Sequence, residues 1–68
     1  MKKKKEILEW LQEGKFLTAL MAVQLFSVMN LSKVISSLRK DGYNIKVVYA
    51  KTIDGQRYGK YYMDFNNN

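Results

Sequence analysis

At Gly42 the hydrophobic period of this chain changes, and that change restricts the fold more than any other feature of the sequence. Before it, Leu31, Val34, Ile35 and Leu38 fall at i, i+3, i+4 and i+7, the single apolar stripe of a helix running from Leu31 to about Lys40. Arg39 and Lys40 suit the negative end of that helix's dipole, Gly42 can take the left-handed conformation that stops it, and Asn30 is placed to cap its start. After Gly42 the apolar residues alternate. Ile45, Val47 and Tyr49 share one face of a strand, Asp54 and Gly55 mark a turn, and Tyr61, Met63 and Phe65 return on a second strand. A three-residue loop with Ile53 opposite Arg57 pairs Ile45 with Phe65, Val47 with Met63 and Tyr49 with Tyr61, and sets Lys46 against Asp64 on the other face. A two-residue Asp-Gly loop is the alternative and shifts this register.

The first half of the chain reads as two further helices. From Lys2 to Glu13, Ile7, Leu8, Trp10 and Leu11 repeat at spacings of three and four, and Gly14 ends the pattern. Lys15 to Leu17 is a short extended piece, available to pair with a later strand. Thr18 is an N-cap, its hydroxyl accepting from a free backbone N–H, and Ala19 to Phe26 follows as a helix of about two turns. Leu20, Met21, Val23, Leu25 and Phe26 cover more than one stripe of that helix. A helix apolar on most sides is normally buried on most sides, so either it is the central helix of the core or part of its face is a subunit interface. Ser27 to Asn30 then supplies a turn.

Residues 16–32 carry no charged side chain, which calls for a membrane check. The run sits at the bottom of the spanning range and is broken by Thr18, Gln24, Ser27 and Asn30, so a transmembrane helix is not expected. Glu6, Glu9 and Glu13 lie where a signal peptide needs an uninterrupted positive region. The expectation is a soluble, cytoplasmic protein without a membrane partner. Sixty-eight residues allow one domain, here residues 1–65 with a frayed tail at 66–68. With neither Cys nor His, disulfides are excluded and neither a metal site nor a cofactor is expected.

Twelve Lys and Arg against six acids give a formal charge of +6, a field that favours polyanions. Lys2 to Lys5 contribute a third of the bases and can be read as a solvated terminus; without them eight bases still face six acids, so the signal is distributed. The pieces of an enzyme are missing: no His or Cys, no paired-carboxylate spacing, no Gly-rich phosphate loop, and no serine with a base to activate it. Neither an enzyme nor a small-molecule substrate is expected.

The order helix, short strand, helix, turn, helix, hairpin is that of an α+β winged helix-turn-helix fold, three helices plus a C-terminal two-stranded wing with 15–17 as a third short strand. In that fold the third helix turns its polar face outward. Ser32 and Ser36 there allow close approach, and Lys33, Ser37 and Lys40 can reach base edges or phosphate. Around the Asp-Gly turn, Lys51, Thr52, Gln56, Arg57, Tyr58 and Lys60 combine cations with hydrogen-bonding groups, as a wing following phosphates needs. The plainer alternative is a solvated turn. Tyr58 and Tyr62 are the expected exposed tyrosines and Tyr61 a packed one.

The run "LSKVISSLRKDGYNIKVVYAKTIDGQRYGKYYM" resembles the small helix-turn-helix domains of bacteriophage and prophage open reading frames. The shared pattern is a Leu, then Ile and Leu-Arg in the recognition helix, then Gly-Tyr-x-Ile, matched here by Leu31, Ile35, Leu38, Arg39, Gly42 and Ile45. The resemblance implies a double-stranded DNA-binding protein, acting as a transcriptional regulator or an excisionase-like recombination factor, with several copies adjacent on the site. The chain departs from the pattern at Val34 and Ser37, where relatives often carry an Arg and an acid, and at Ser27, where Gly is common. A base contact made by that Arg does not transfer, although Lys33 stands beside the position. A homodimer or cooperative multimer would use the apolar excess of Trp10, Leu20, Met21, Val23 and Phe26. The rival class is a protein-interaction module on the same scaffold. A membrane-surface role fits less well, because three glutamates dilute the charge of the first helix.

Overall fold

Ile7 and Leu11, one turn apart, are shut off from solvent, and the rest of the chain is arranged around them. The computed structural model describes residues 2–65; the tail expected at 66–68 lies outside the described residues. Helix α1 spans Lys2–Gln12, α2 Ala19–Phe26 and α3 Leu31–Lys40, and the strands are β1 Ile45–Lys51 and β2 Arg57–Met63. The core joins Ile7 and Leu11 to Leu17, Ala22, Val28, the α3 stripe of Leu31, Ile35 and Leu38, and Ile45, with Trp10, Phe26, Tyr43, Tyr61 and Met63 packed around it.

Local chemistry sets the helix ends. The Thr18 hydroxyl accepts from the Met21 amide at 3.1 Å, the N-cap that the sequence predicts. Asn30 departs from expectation: its side chain makes no cap bond, and only its carbonyl accepts from Lys33 and Val34, as its φ of −121° and ψ of 64° turn the side chain out of capping geometry. At the end of α3, Gly42 takes φ +103°, its amide donates to Arg39 and that of Tyr43 to Leu38, a Schellman closure. The Arg39 guanidinium then donates from Nε to the Ile45 carbonyl at 2.9 Å and ties α3 to the start of β1.

Helices α2 and α3 meet at 96° across Ser27–Asn30, the helix-turn-helix angle. Ser27 turns the corner in the left-handed region, at φ 57° and ψ 34°, without the freedom of glycine. The reading of α2 as the central helix of the core is corrected. Among its residues Ala22 is fully buried and Met21 and Phe26 pack on the core, while Leu20, Val23 and Leu25 face solvent. The central place is filled by the longer stripes of α1 and α3, and a two-turn helix laid across them buries one side only.

The hairpin is antiparallel with Ile45 opposite Met63, Val47 opposite Tyr61, Tyr49 opposite Gly59 and Lys51 opposite Arg57. The expected register was therefore two residues out, although each face keeps its members. The loop does have three residues, Ile53, Asp54 and Gly55, closed by the Thr52 amide donating to the Gln56 carbonyl at 2.8 Å. The third loop position needs a left-handed residue, and Gly55 supplies it at φ +88°; the expected loop would have asked this of Gln56. Phe65, expected against Ile45, lies past the end of β2 and is exposed. Lys46 still reaches Asp64 diagonally at 3.0 Å. Of the short segment at 15–17, Leu17 pairs with Tyr61 through two backbone bonds of 2.8 Å each. The indole N–H of Trp10 donates to the Phe16 carbonyl and fixes this segment to α1.

Candidate nucleic-acid interface

Burial of the α3 stripe determines what α3 shows to solvent. Lys33, Ser36 and Lys40, at i, i+3 and i+7, lie opposite Leu31, Ile35 and Leu38 and are exposed, as is Ser32. Ser37 is half-buried on the flank towards α1, where it lines a cleft with Lys3, Lys4 and Lys33. Arg39 stands on the other flank and is engaged with Ile45. Within α3 itself every charged side chain is a cation.

The wing residues divide by role. Lys51, Gln56, Arg57 and Tyr58 are exposed. Thr52 is exposed too, but its hydroxyl is engaged inside the loop: it donates to the Asp54 carboxylate and accepts from the Gln56 amide at 3.1 Å. That bond from Thr52 comes first among the causes that hold the Asp54 carboxyl below its ordinary range. Thr52 therefore builds the tip rather than offering a free hydroxyl. Lys60 is half-buried in the middle of β2 with its ammonium 4.7 Å from the centre of the Phe16 ring, away from the tip. On the same face of the sheet, Lys46 is pushed up by its hydrogen bond and charge pairing with Asp64. Tyr61 packs on the core as expected, Tyr58 is exposed and Tyr62 is half-buried.

Most of the wing set is brought together with α2 and not with α3. Thr52, Gln56, Arg57, Tyr58 and Lys60 line a groove of about 640 Å³ whose other wall includes Phe16, Thr18 and Leu20 at the start of α2. The first-turn amides of a helix lack intrahelical partners, so this groove combines a positive helix end with the cations of Arg57 and Lys60. The cleft lined by Lys33 and Ser37 and the groove lined by the wing set have no lining residue in common.

Two residues were missed by sequence reasoning. Tyr49, assigned to the core face, is on that face but beyond the end of the core, and it is 67% exposed. Its ring lies across Gly59, where an added Cβ would come 3.6 Å from Cε1, and the Arg57 guanidinium sits 5.5 Å from the ring centre. Ile53, at the tip, is fully exposed beside these cations. The signal for Tyr49 was Gly59, which in the correct register leaves an empty place opposite an aromatic.

A two-turn helix, a left-handed corner, a perpendicular third helix with a cationic outer face and a three-residue-loop wing define the winged helix-turn-helix class, a class of DNA-binding domains. The chain belongs to this family: the family model described as "Winged helix-turn-helix domain" matches residues 2–64. No curated protein and no solved structure matches the chain. No single helix among the described residues is long and apolar enough to cross a membrane.

Proposed function

We propose that this protein binds duplex DNA with sequence preference, α3 reading the major groove and the wing holding phosphates, as a regulator or excisionase-like factor of a phage or mobile element. The observation that carries the reading is the outer face of α3, where Lys33, Ser36 and Lys40 stand exposed on a helix-turn-helix frame with no acid among them. Serine can donate or accept and lysine donates, a combination that can discriminate base edges. The phage assignment rests on the resemblance of residues 18–63.

A salt titration of binding to random duplex tests the reading. If α3 and the wing neutralise about four to six phosphates, log K falls against log salt with a slope of about −4 to −5. A flat dependence, or no binding at low salt, would sink it. A second reading, a protein-interaction module, is favoured by one observation: Leu20, Val23, Leu25 and Met29 stand exposed on α2 and the turn that follows it. Binding that ignores salt but is lost in Leu20→Ser would establish that reading instead.

A further inference from the structure

The Lys2–Lys5 run falls within α1, and the described side chains of Lys3 and Lys4 are built into the fold. The Lys3 ammonium donates to the carbonyl of Phe26 at the end of α2, and Lys4 pairs with Asp41 at 2.6 Å beside the end of α3. Together with Lys33 and Ser37 of α3 they line a cleft of about 670 Å³ whose floor includes Val28 and Val34. Among the described residues lining it, every charged one is a lysine.

The position of this cleft matters more than its charge. Ser37 lines it on one flank of α3, and Arg39, bonded to β1, marks the other. Two positions apart on an α-helix is about 200° of rotation, so α1 and the hairpin lie on opposite sides of the outward face. A helix in a major groove has a phosphate backbone on each side. The wing can hold one; nothing in the wing reaches the other.

We propose that the α1 cleft is a second phosphate site, taking the sugar–phosphate backbone on the side of the groove away from the wing. This rests on the duplex-binding reading and extends its footprint to the N-terminal helix. An ammonium has three donors, and Lys3 uses one on Phe26, which fixes its place and leaves two for phosphate oxygens. The apolar floor suits a deoxyribose face between two phosphates. Lys4 is half-neutralised by Asp41 in the free protein and exchanges that carboxylate for a phosphate on binding.

The test is the salt dependence of binding to a random duplex, measured for the wild-type chain and four variants, with folding checked by circular dichroism melts. In Lys3→Gln/Lys4→Gln the slope loses about one to two units in magnitude, and Lys3→Arg/Lys4→Arg keeps it. Lys15→Gln leaves it unchanged, because Lys15 lies over the Trp10 ring and is paired with Glu13. Asp41→Asn, which frees Lys4, tightens binding about two- to fivefold at low salt; a purely structural Lys4–Asp41 pair gives no such gain. A steep wild-type slope that persists in Lys3→Gln/Lys4→Gln overturns the cleft while leaving duplex binding intact. A flat wild-type slope removes the duplex reading itself.

Discussion

Single side chains at the wing tip hold its geometry, on which the proposed phosphate contact depends, and Thr52 is the centre of it. Its hydroxyl bonds both the Asp54 carboxylate and the Gln56 amide, and the bond to Asp54 keeps that carboxyl ionised to lower pH than usual. The sign follows directly: a depressed folded pKa contributes order to the tip above the ordinary carboxylate pKa, and loses it as pH falls through the depressed value. Thr52→Val should move the Asp54 titration, followed by carboxyl carbon NMR, up towards the ordinary range, and the Gln56 amide should lose its protection at neutral pH. Ile53 belongs to the same loop and is fully exposed, so Ile53→Ser should leave stability within about 0.5 kcal/mol. Any loss of DNA affinity in that variant then reports on the interface alone. At this scale the sequence was legible where chemistry is local. Thr18 caps α2 because a hydroxyl and an amide three residues on find each other in any helix start. Tyr49 was not legible, because its exposure depends on where the core ends, and Asn30 was not, because its backbone angles are set by the corner before it.

At the scale of elements, the corner between α2 and α3 carries the strain. Ser27 sits at φ 57°, where a Cβ costs about 1 kcal/mol that glycine avoids, against a smaller entropic gain of the unfolded chain. Ser27→Gly should therefore raise the melting temperature by about 2–6 °C in a domain of this size, measured by circular dichroism, without changing the 96° crossing or the salt slope. Gly42→Ala should act in the opposite sense, because φ +103° disfavours any side chain even with open space around the added Cβ. The helix bounds of α2 and α3 were legible because a stripe, a cap and a stop residue are all local signals. The hairpin was legible as a hairpin, and its faces were assigned correctly, since parity survives a two-residue slip. Its register was not, because it turned on whether Gly55 or Gln56 would take the left-handed loop position, a choice between two loops that the strand pattern alone leaves level.

For the whole molecule, the decisive facts are a small core and an apolar excess outside it. A chain of this length buries only about 60% of its unfolded surface, so few side chains carry the fold, and Ile35→Ala should cost about 2–5 kcal/mol and leave little folded protein at 37 °C. The five residues expected to form a contact face separate in the structure. Trp10 packs edge-on against Phe26 at 5.8 Å and, with Met21, leans on the core, whereas Leu20 at 66% exposure and Val23 remain outside, joined by Leu25 and Met29. No periodicity within α2 could have divided them, because which side of a two-turn helix is covered depends on the placement of α1 and α3. A single domain with one recognition helix reads few base pairs, so a factor of this kind gains selectivity by filling adjacent sites. Leu20 lines the wing groove and Met29 the α1 cleft, whereas Val23 and Leu25 line neither and can meet a second copy while DNA is held. Analytical ultracentrifugation across micromolar concentrations should show reversible association that strengthens on a multi-site duplex and is lost in Val23→Ser/Leu25→Ser, with the melting temperature unchanged within a few degrees. A strict monomer that fills adjacent sites independently would show that this face has no partner in a second copy, and would leave the two proposed phosphate sites to hold each molecule on DNA alone.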